Sequence, residues 1–399
     1  MDPSTRPLPL KISAEIQKSG PMTFARFMEL ALYDSEHGYY MTWGGEANRP
    51  PKGASPIGFD GDFYTAVCLH PLLAKALVRQ VMEIDALLGS PASLTVVEMG
   101  PGDGTLARDI LAECAAVAPD LFQRLTYLLI ERSPALRHLQ EETLSHLSQH
   151  PHRIAWVTSL EALSEQSVVG VVLSNELIDA FPVHRVRMTQ DGLKEIHVHD
   201  QAGRFVERLC EPSTPDLLRF FQDQGVTLTA GYTTEVNLLA LKWMHEVAGV
   251  LKQGVVLTID YGHTAQDYFS QSRSTGTLRC YRSHQVTNDP YQYVGEQDMT
   301  AHVNFSSLAL AGEQKGLATT GFTNLMSFLM SLGIDEMLDG EDPEGEAIKS
   351  ATQLLRPHGM GTTFKVLIQH KEVSCPSLRG LTHRPFFDQV LTGEQVREA

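Results

Sequence analysis

The chain has 399 residues, 42% of them hydrophobic and 20% charged, with a formal net charge of −16. That composition describes an ordinary globular protein rather than a disordered one. No stretch approaches the run of about eighteen apolar residues that a membrane-spanning helix needs, so membrane insertion is not expected, and the acidic balance argues against a nucleic-acid partner, because neutralising phosphates takes clustered Lys and Arg.

The five cysteines (Cys68, Cys114, Cys210, Cys280 and Cys375) stand far apart without a C-x-x-C pair. They suggest neither a zinc site nor a disulfide framework. The N-terminus, Met1 to Pro7, has no basic segment followed by an apolar one, so a secretory signal is not indicated and a cytoplasmic location is expected.

In chain order, residues 10–40 read as amphipathic helix, with Pro21-Met22-Thr23 opening a segment in which Phe24, Phe27, Met28, Ala31 and Leu32 recur at helical spacing. Residues 44–62 are rich in Gly and Pro and read as a loop. A helix is expected from Pro71 to Leu88. Then strands at Leu94–Met99, Leu125–Ile130, Ile154–Val157 and Val168–Ser174 alternate with helices at Leu106–Val117 and Pro134–Leu147. Such alternation, with continuously apolar strands, predicts a parallel sheet covered on both faces. After Pro182 the pattern becomes an antiparallel meander (His184–Thr189, Leu193–His199, Arg204–Leu209), followed by a long helix predicted over Glu235–Leu251. Val255–Ile259, Leu317–Phe322 and Thr362–Ile368 complete the sheet, and a helix begins near Asn324. Residues 262–300 are polar, aromatic and too long for a simple connector, which suggests a substrate loop.

The chemistry gathers at strand ends. Glu98-Met99-Gly100-Pro101-Gly102-Asp103-Gly104 lies where a strand passes into a helix. Glycines there let backbone amides approach a ligand, and the helix N-terminus favours an anion. The spacing is G-x-G-x-G, not the G-x-G-x-x-G of nicotinamide-dinucleotide folds. The next strand ends in Glu131, where such folds place a carboxylate for ribose hydroxyls. Together these two features point to a cofactor containing adenosine.

The fourth strand runs into Ser174-Asn175-Glu176-Leu177-Ile178-Asp179-Ala180-Phe181-Pro182-Val183. This stretch resembles the N-E-[LF]-[LFI]-D-A-[LF]-P-V segment of the MidA-like methyltransferase family, which includes a mitochondrial arginine methyltransferase needed for respiratory complex I assembly. Matching segments recur in family order: Tyr33-Asp34 with His37-Gly38-Tyr39-Tyr40, Gly61-Asp62-Phe63 with Thr65, Ile259-Asp260-Tyr261-Gly262, Gly276 to Tyr281, Asp298 to Phe305, and Gly359 to Val366.

The resemblance implies a class I methyltransferase fold: an α/β, Rossmann-like, mostly parallel sheet with an antiparallel last strand, a helical N-terminal region and an antiparallel β insertion. It implies S-adenosylmethionine as methyl donor, held by Asp62, Thr65, Glu98, Gly100, Gly102, Gly104, Glu131, Asn175 and Glu176. The corresponding divisions are 1–90 (helices and a cofactor-covering loop), 91–180 (cofactor-binding half), 181–250 (insertion), 251–370 (the rest of the sheet, with a substrate loop at 262–305) and 371–399 (tail). One departure stands out: where the family continues S-P-E-x-S, this chain reads Ala66-Val67-Cys68-Leu69-His70, a change that bears on the acceptor more than on the donor.

Methyl transfer needs a positioned, desolvated nucleophile. For a guanidinium acceptor, paired carboxylates can hold its fork and direct one nitrogen at the methyl group. Glu176, Asp179 and Asp260, at neighbouring strand ends, are the candidates, and His302 is a candidate to orient the acceptor or take its proton. The expected partner is a protein, with a respiratory-complex-like subunit as one candidate, or else a small molecule methylated on O or N; a homodimer is compatible with either. His197-Val198-His199 and the group His146, His150 and His152 lack a convincing third ligand, so no metal is expected and these histidines read as exposed.

Overall fold

The computed structural model describes residues 6–42, 71–147, 153–282, 285–339, 342, 345–355, 359–374, 376–382 and 391. Asp62, Thr65, the Gly- and Pro-rich loop, the altered 66–70 stretch, and His150 and His152 lie outside the described residues.

Seven strands line up in the main sheet: β1 (Leu94–Met99), β2 (Leu125–Ile130), β3 (Ile154–Val157), β4 (Val168–Asn175), β5 (Leu251–His263), β6 (Ala318–Asn324) and β7 (Phe364–Lys371). Their spatial order is β3-β2-β1-β4-β5-β7-β6, and β7 alone in this row runs opposite to the other six. A short strand, Val303–Asn304, pairs with the far end of β5. The order reverses between β1 and β4, and an open sheet binds its ligand in the crevice at such a switch point.

Both faces are covered, as the uninterrupted Val, Leu and Ile of the strands require. Helices Leu72–Leu87, Thr105–Val117 and Leu325–Ser331 pack on one face around Val96, Tyr127, Leu173 and Ile259. Helices Leu238–Val250 and Phe305–Glu313 pack on the other, around Val97, Val172 and Val256. Three of these helices start on an asparagine: Asn237, Asn304 and Asn324 each accept the backbone amide three residues on, which satisfies a donor that the first turn leaves open.

That cap corrects one expectation. The helix predicted over Glu235–Leu251 begins only at Leu238; Thr233–Val236 is a strand paired with His184–Thr189. Apolar Val236 extended the helical pattern in the sequence, but Asn237 takes the capping position. The region 262–300, expected to be a substrate loop, carries a three-stranded sheet of Arg279–Arg282, Gln285–Thr287 and Asp298–Thr300.

The insertion does not stand apart from the N-terminal helices. Met22 and Thr23 pair with Val198 and His197 of the meander, so the long amphipathic segment divides into helices Pro7–Ser19 and Phe24–Tyr33. Phe24, Phe27 and Met28 share a core with Val183, Val198, Cys280 and Met299. His197 and His199, expected to be exposed, are half-buried; His197 stands 3.5 Å from buried Glu195 and 3.3 Å from the Pro21 carbonyl.

At the centre of the sheet, β1, β4 and β5 approach through glycine. Gly170 has φ 143° and Gly254 φ 139°. A Cβ on Gly254 would lie 1.9 Å from the Gly170 carbonyl oxygen, and one on Gly170 would lie 2.1 Å from that of Thr95. Gly254→Ala should therefore lower stability by about 2 kcal/mol or more, read as a lower urea midpoint at unchanged m-value.

Candidate active site

A cavity of about 710 Å³ opens over the C-terminal ends of β1, β2, β4 and β5. Its first wall is the glycine turn. Gly100 and Gly102 line the cavity, whereas Gly104, expected to touch the cofactor, lies outside the lining against Gln140; all three have left-handed φ, at 64°, 56° and 83°, which L side chains rarely adopt. A Cβ on Gly100 would also strike Leu177 Cδ1 at 2.7 Å. The turn delivers the chain into helix Thr105–Val117, where Asp103 accepts the Thr105 amide at 3.0 Å.

Below the turn, Glu98 is buried and accepts the Tyr127 hydroxyl at 2.7 Å. Burial pushes its carboxyl up to about 7, while the Tyr127 hydrogen bond opposes that rise. Glu131, at the end of β2, is also buried and held above the usual carboxylate range by desolvation. It accepts the Ser133 amide at 2.7 Å and Gln140 Nε2 at 3.1 Å.

Gln140 went unnoticed in the sequence. It is fully buried: Nε2 donates to both Glu131 and the Gly102 carbonyl (2.8 Å), and Oε1 accepts from Trp156 Nε1 at 3.1 Å. One amide thus ties the glycine turn to the carboxylate on the next strand. No spacing rule points to a glutamine in the middle of a helix.

The adjoining wall comes from the loop after β4. Asn175 and Glu176 line the cavity. Glu176 has φ 51°, a strained conformation for a residue other than glycine, and its amide donates to the Ile259 carbonyl at 2.9 Å. The Oδ1 atom of Asn175 is buried without a hydrogen-bond partner among the described residues. The same holds for Oδ1 of Asp179, a residue only 5% exposed that lines the cavity. Desolvation lifts Asp179 above the ordinary carboxylate range, with the neighbouring Tyr261 hydroxyl and backbone amides drawing it back.

Asp260 is placed differently. It is completely buried and absent from the cavity lining. Its Oδ2 accepts the amides of Ile178 (2.9 Å) and Asp179 (3.3 Å), and its Oδ1 that of Tyr261 (2.8 Å). It holds the wall in place from behind.

Aromatic residues close the remaining side. Tyr33 and Tyr40 stack at 5.5 Å, with the Arg132 guanidinium 4.6 Å above the Tyr33 ring. The Tyr33 hydroxyl donates to the Ala180 carbonyl at 3.0 Å, and that of Tyr40 to Asp298 at 2.7 Å. The Tyr33-to-Tyr40 motif is a turn built for this purpose: Asp34 accepts the amides of Glu36 and His37, and a Cβ on Gly38 would lie 2.4 Å from the Asp34 nitrogen. His302 lines the cavity with its ring edge-on to Tyr261 at 5.3 Å. Among the described residues no group of three His, Cys, Asp or Glu could hold a metal ion.

This strand order, with a glycine turn and an acidic residue on adjacent strand ends, defines a class I methyltransferase. The sequence profile of a family of S-adenosyl-L-methionine-dependent methyltransferases matches residues 72–323. A protein arginine methyltransferase of zebrafish mitochondria, Danio rerio NDUFAF7, is 27% identical over 89% of this chain and 84% of its own length. The Drosophila melanogaster homologue is likewise 27% identical, over 90% and 83%. A COG1565 superfamily protein of Burkholderia thailandensis bound to S-adenosyl-homocysteine superposes with a TM-score of 0.82, at 32% identity over 94% of each chain. The chain belongs to the MidA-like family of S-adenosylmethionine-dependent methyltransferases.

The Glu98–Tyr127 pair yields a titration. Tyr127→Phe removes the donor that draws the Glu98 carboxyl down, so its titration, followed by carboxyl ¹³C NMR, should move above pH 7. Because the folded value already exceeds the unfolded one near 4.5, the stability contributed by protonated Glu98 is complete below about pH 4.5 and is lost as pH rises through about 7. In the variant that loss should extend to higher pH.

Proposed function

We propose that this S-adenosylmethionine-dependent enzyme methylates a protein side chain, and that the side chain is arginine. The observation that carries this reading is Asp179: a buried carboxylate with an unpartnered oxygen in a tyrosine-lined cavity, with Glu176 beside it. A guanidinium can supply the missing donors bidentately, and its planar cation suits aromatic walls. Support also comes from the zebrafish and fruit-fly relatives, which are named as protein arginine methyltransferases.

The donor half fits the residues present. A ligand amine would satisfy Asn175 Oδ1, Glu131 would take the ribose hydroxyls, and the space above Gly100 and Gly102 leaves room for the homocysteine portion. Thr158, Ser159 and Leu160, which also line the cavity, would flank the adenine. When bound, S-adenosylmethionine supplies an electrophilic methyl group on a sulfonium. The protein then has to orient one acceptor nitrogen and keep water away, which are matters of position and desolvation. Asp179 and Glu176 would fix the fork, Asp260 would fix Asp179, and His302 faces the same space. The reading includes a reducing, cytoplasmic setting, supported by the free thiols of Cys114, Cys210 and Cys280.

Incubation with methyl-labelled S-adenosylmethionine and cell lysate should place label in protein, recovered as methylarginine after acid hydrolysis. Label confined to small molecules would favour O- or N-methylation of a metabolite instead. Asp179→Asn should reduce turnover about 100-fold or more while leaving S-adenosylhomocysteine affinity within a few-fold. Glu131→Ala should show the opposite split, weakening that affinity about 10-fold or more by calorimetry, since it removes charged hydrogen-bond acceptors.

A further inference from the structure

Methylation of a nitrogen or oxygen leaves a proton to be removed. At a guanidinium the acceptor nitrogen's electron pair forms the N–CH₃ bond, and the broken C–S pair stays on sulfur as a thioether. One N–H proton then has to go, because the product keeps a single positive charge. In a cavity walled by buried groups that proton needs a path.

His302 borders the cavity, and its position is over-determined. Its backbone amide donates to Thr277 Oγ1 at 3.1 Å, its ring packs edge-on against Tyr261, and its Nδ1 lies 3.0 Å from His263 Nε2. No hydrogen-bond partner engages its Nε2 among the described residues. His263 lies outside the cavity lining and is half-buried, near the end of β5 where Gly262 and His263 pair with Val303 and Asn304. That pairing is close: a Cβ on Gly262 would lie 2.1 Å from the Val303 carbonyl oxygen. Two imidazoles are thereby held nitrogen to nitrogen, the first at the cavity and the second outside it.

We propose that His302 and His263 form a two-imidazole proton wire for the methyl-transfer step, a role that rests on the acceptor site placed at Asp179. His302 Nε2 takes the proton from the acceptor nitrogen, His302 Nδ1 passes its own proton to His263 Nε2, and His263 Nδ1 releases one to water. Each ring ends neutral with its tautomer reversed, and the reverse hops or a ring flip reset the pair. His302 is a catalytic residue in this scheme; His263 acts through it. The surroundings suit a wire rather than a reservoir. Burial lowers His302 to about 4, with Arg273, Arg279 and Lys365 opposing a further positive charge. Burial, His302, Arg273 and Lys365 lower His263 to about 3. Neither ring holds the proton near neutral pH.

The test is the single-turnover rate of the full-length enzyme on whichever acceptor the wild type labels. His263→Gln can still hydrogen-bond to His302 but cannot pass a proton on, and His263→Ala leaves a gap that imidazole can enter. Both should slow the methyl-transfer step about 10- to 100-fold, with S-adenosylhomocysteine affinity within about twofold of wild type. Added imidazole should restore His263→Ala and leave His263→Gln slow. A wild-type rate in His263→Gln, or a slow His263→Ala that imidazole does not restore, would overturn the wire and leave His263 a packing residue. If His263→Ala does not fold, the rate of His263→Gln decides. Label in an acceptor other than arginine refutes the arginine reading alone, because the same rate comparison can be made on that acceptor.

Discussion

Behind the acceptor wall, the carboxylate of Asp260 receives three backbone amides, from Ile178, Asp179 and Tyr261. A charge removed from water is tolerated only when hydrogen bonds replace its solvation, and here every donor comes from the loop after β4 or from β5 itself. The carboxylate therefore joins the ends of two central strands and sets where Asp179 and Tyr261 stand. Placing Asp260 beside Asp179 has a cost: burial raises both above the ordinary carboxylate range, and the charge of Asp179 raises Asp260 further. A cation in the cavity would relieve that repulsion, which links the architecture of the wall to the chemistry of what it binds.

The donor side follows the same logic with a neutral group. Gln140 uses both amide hydrogens and its oxygen, so the glycine turn, Glu131 and Trp156 move as a unit. Positive φ at Gly100 and strain at Glu176 sit on adjoining walls. Backbone strain persists where its surroundings over-determine it, and Glu176 is held by the hydrogen bond its backbone amide donates to the Ile259 carbonyl while Asp260 anchors the next turn. The two halves of the cavity are stiff for different reasons: one is tied by a side-chain amide, the other by a buried carboxylate.

Much of this was legible in the sequence. Continuous apolar strands separated by helical spacing predicted the parallel sheet, and β1, β2 and β3 carry the boundaries expected of them. Glu98, Glu131, Asn175, Glu176, Asp179 and His302 all line the one large cavity described. Asp260 shared their motif pattern yet turned inward, because a residue's position at a strand end does not say whether its side chain meets a ligand or a backbone amide. The helix expected from Glu235 failed similarly, since Val236 satisfies the helical pattern and the strand pattern equally well until Asn237 is seen to cap.

By itself the sequence determined the order of strands and helices, the glycine turn and the acidic residue that follows it. Those features depend on local backbone preference and on hydrophobic period, both of which are properties of neighbouring residues. Tertiary structure alone decided that Gln140 bridges two strands, that Tyr33 and Tyr40 stack with the Tyr33 hydroxyl on the Ala180 carbonyl, and that His263 meets His302 thirty-nine residues away. Each of these contacts joins segments distant along the chain, and a hydrogen bond's direction or a ring's orientation exists only once the sheet has brought those segments together.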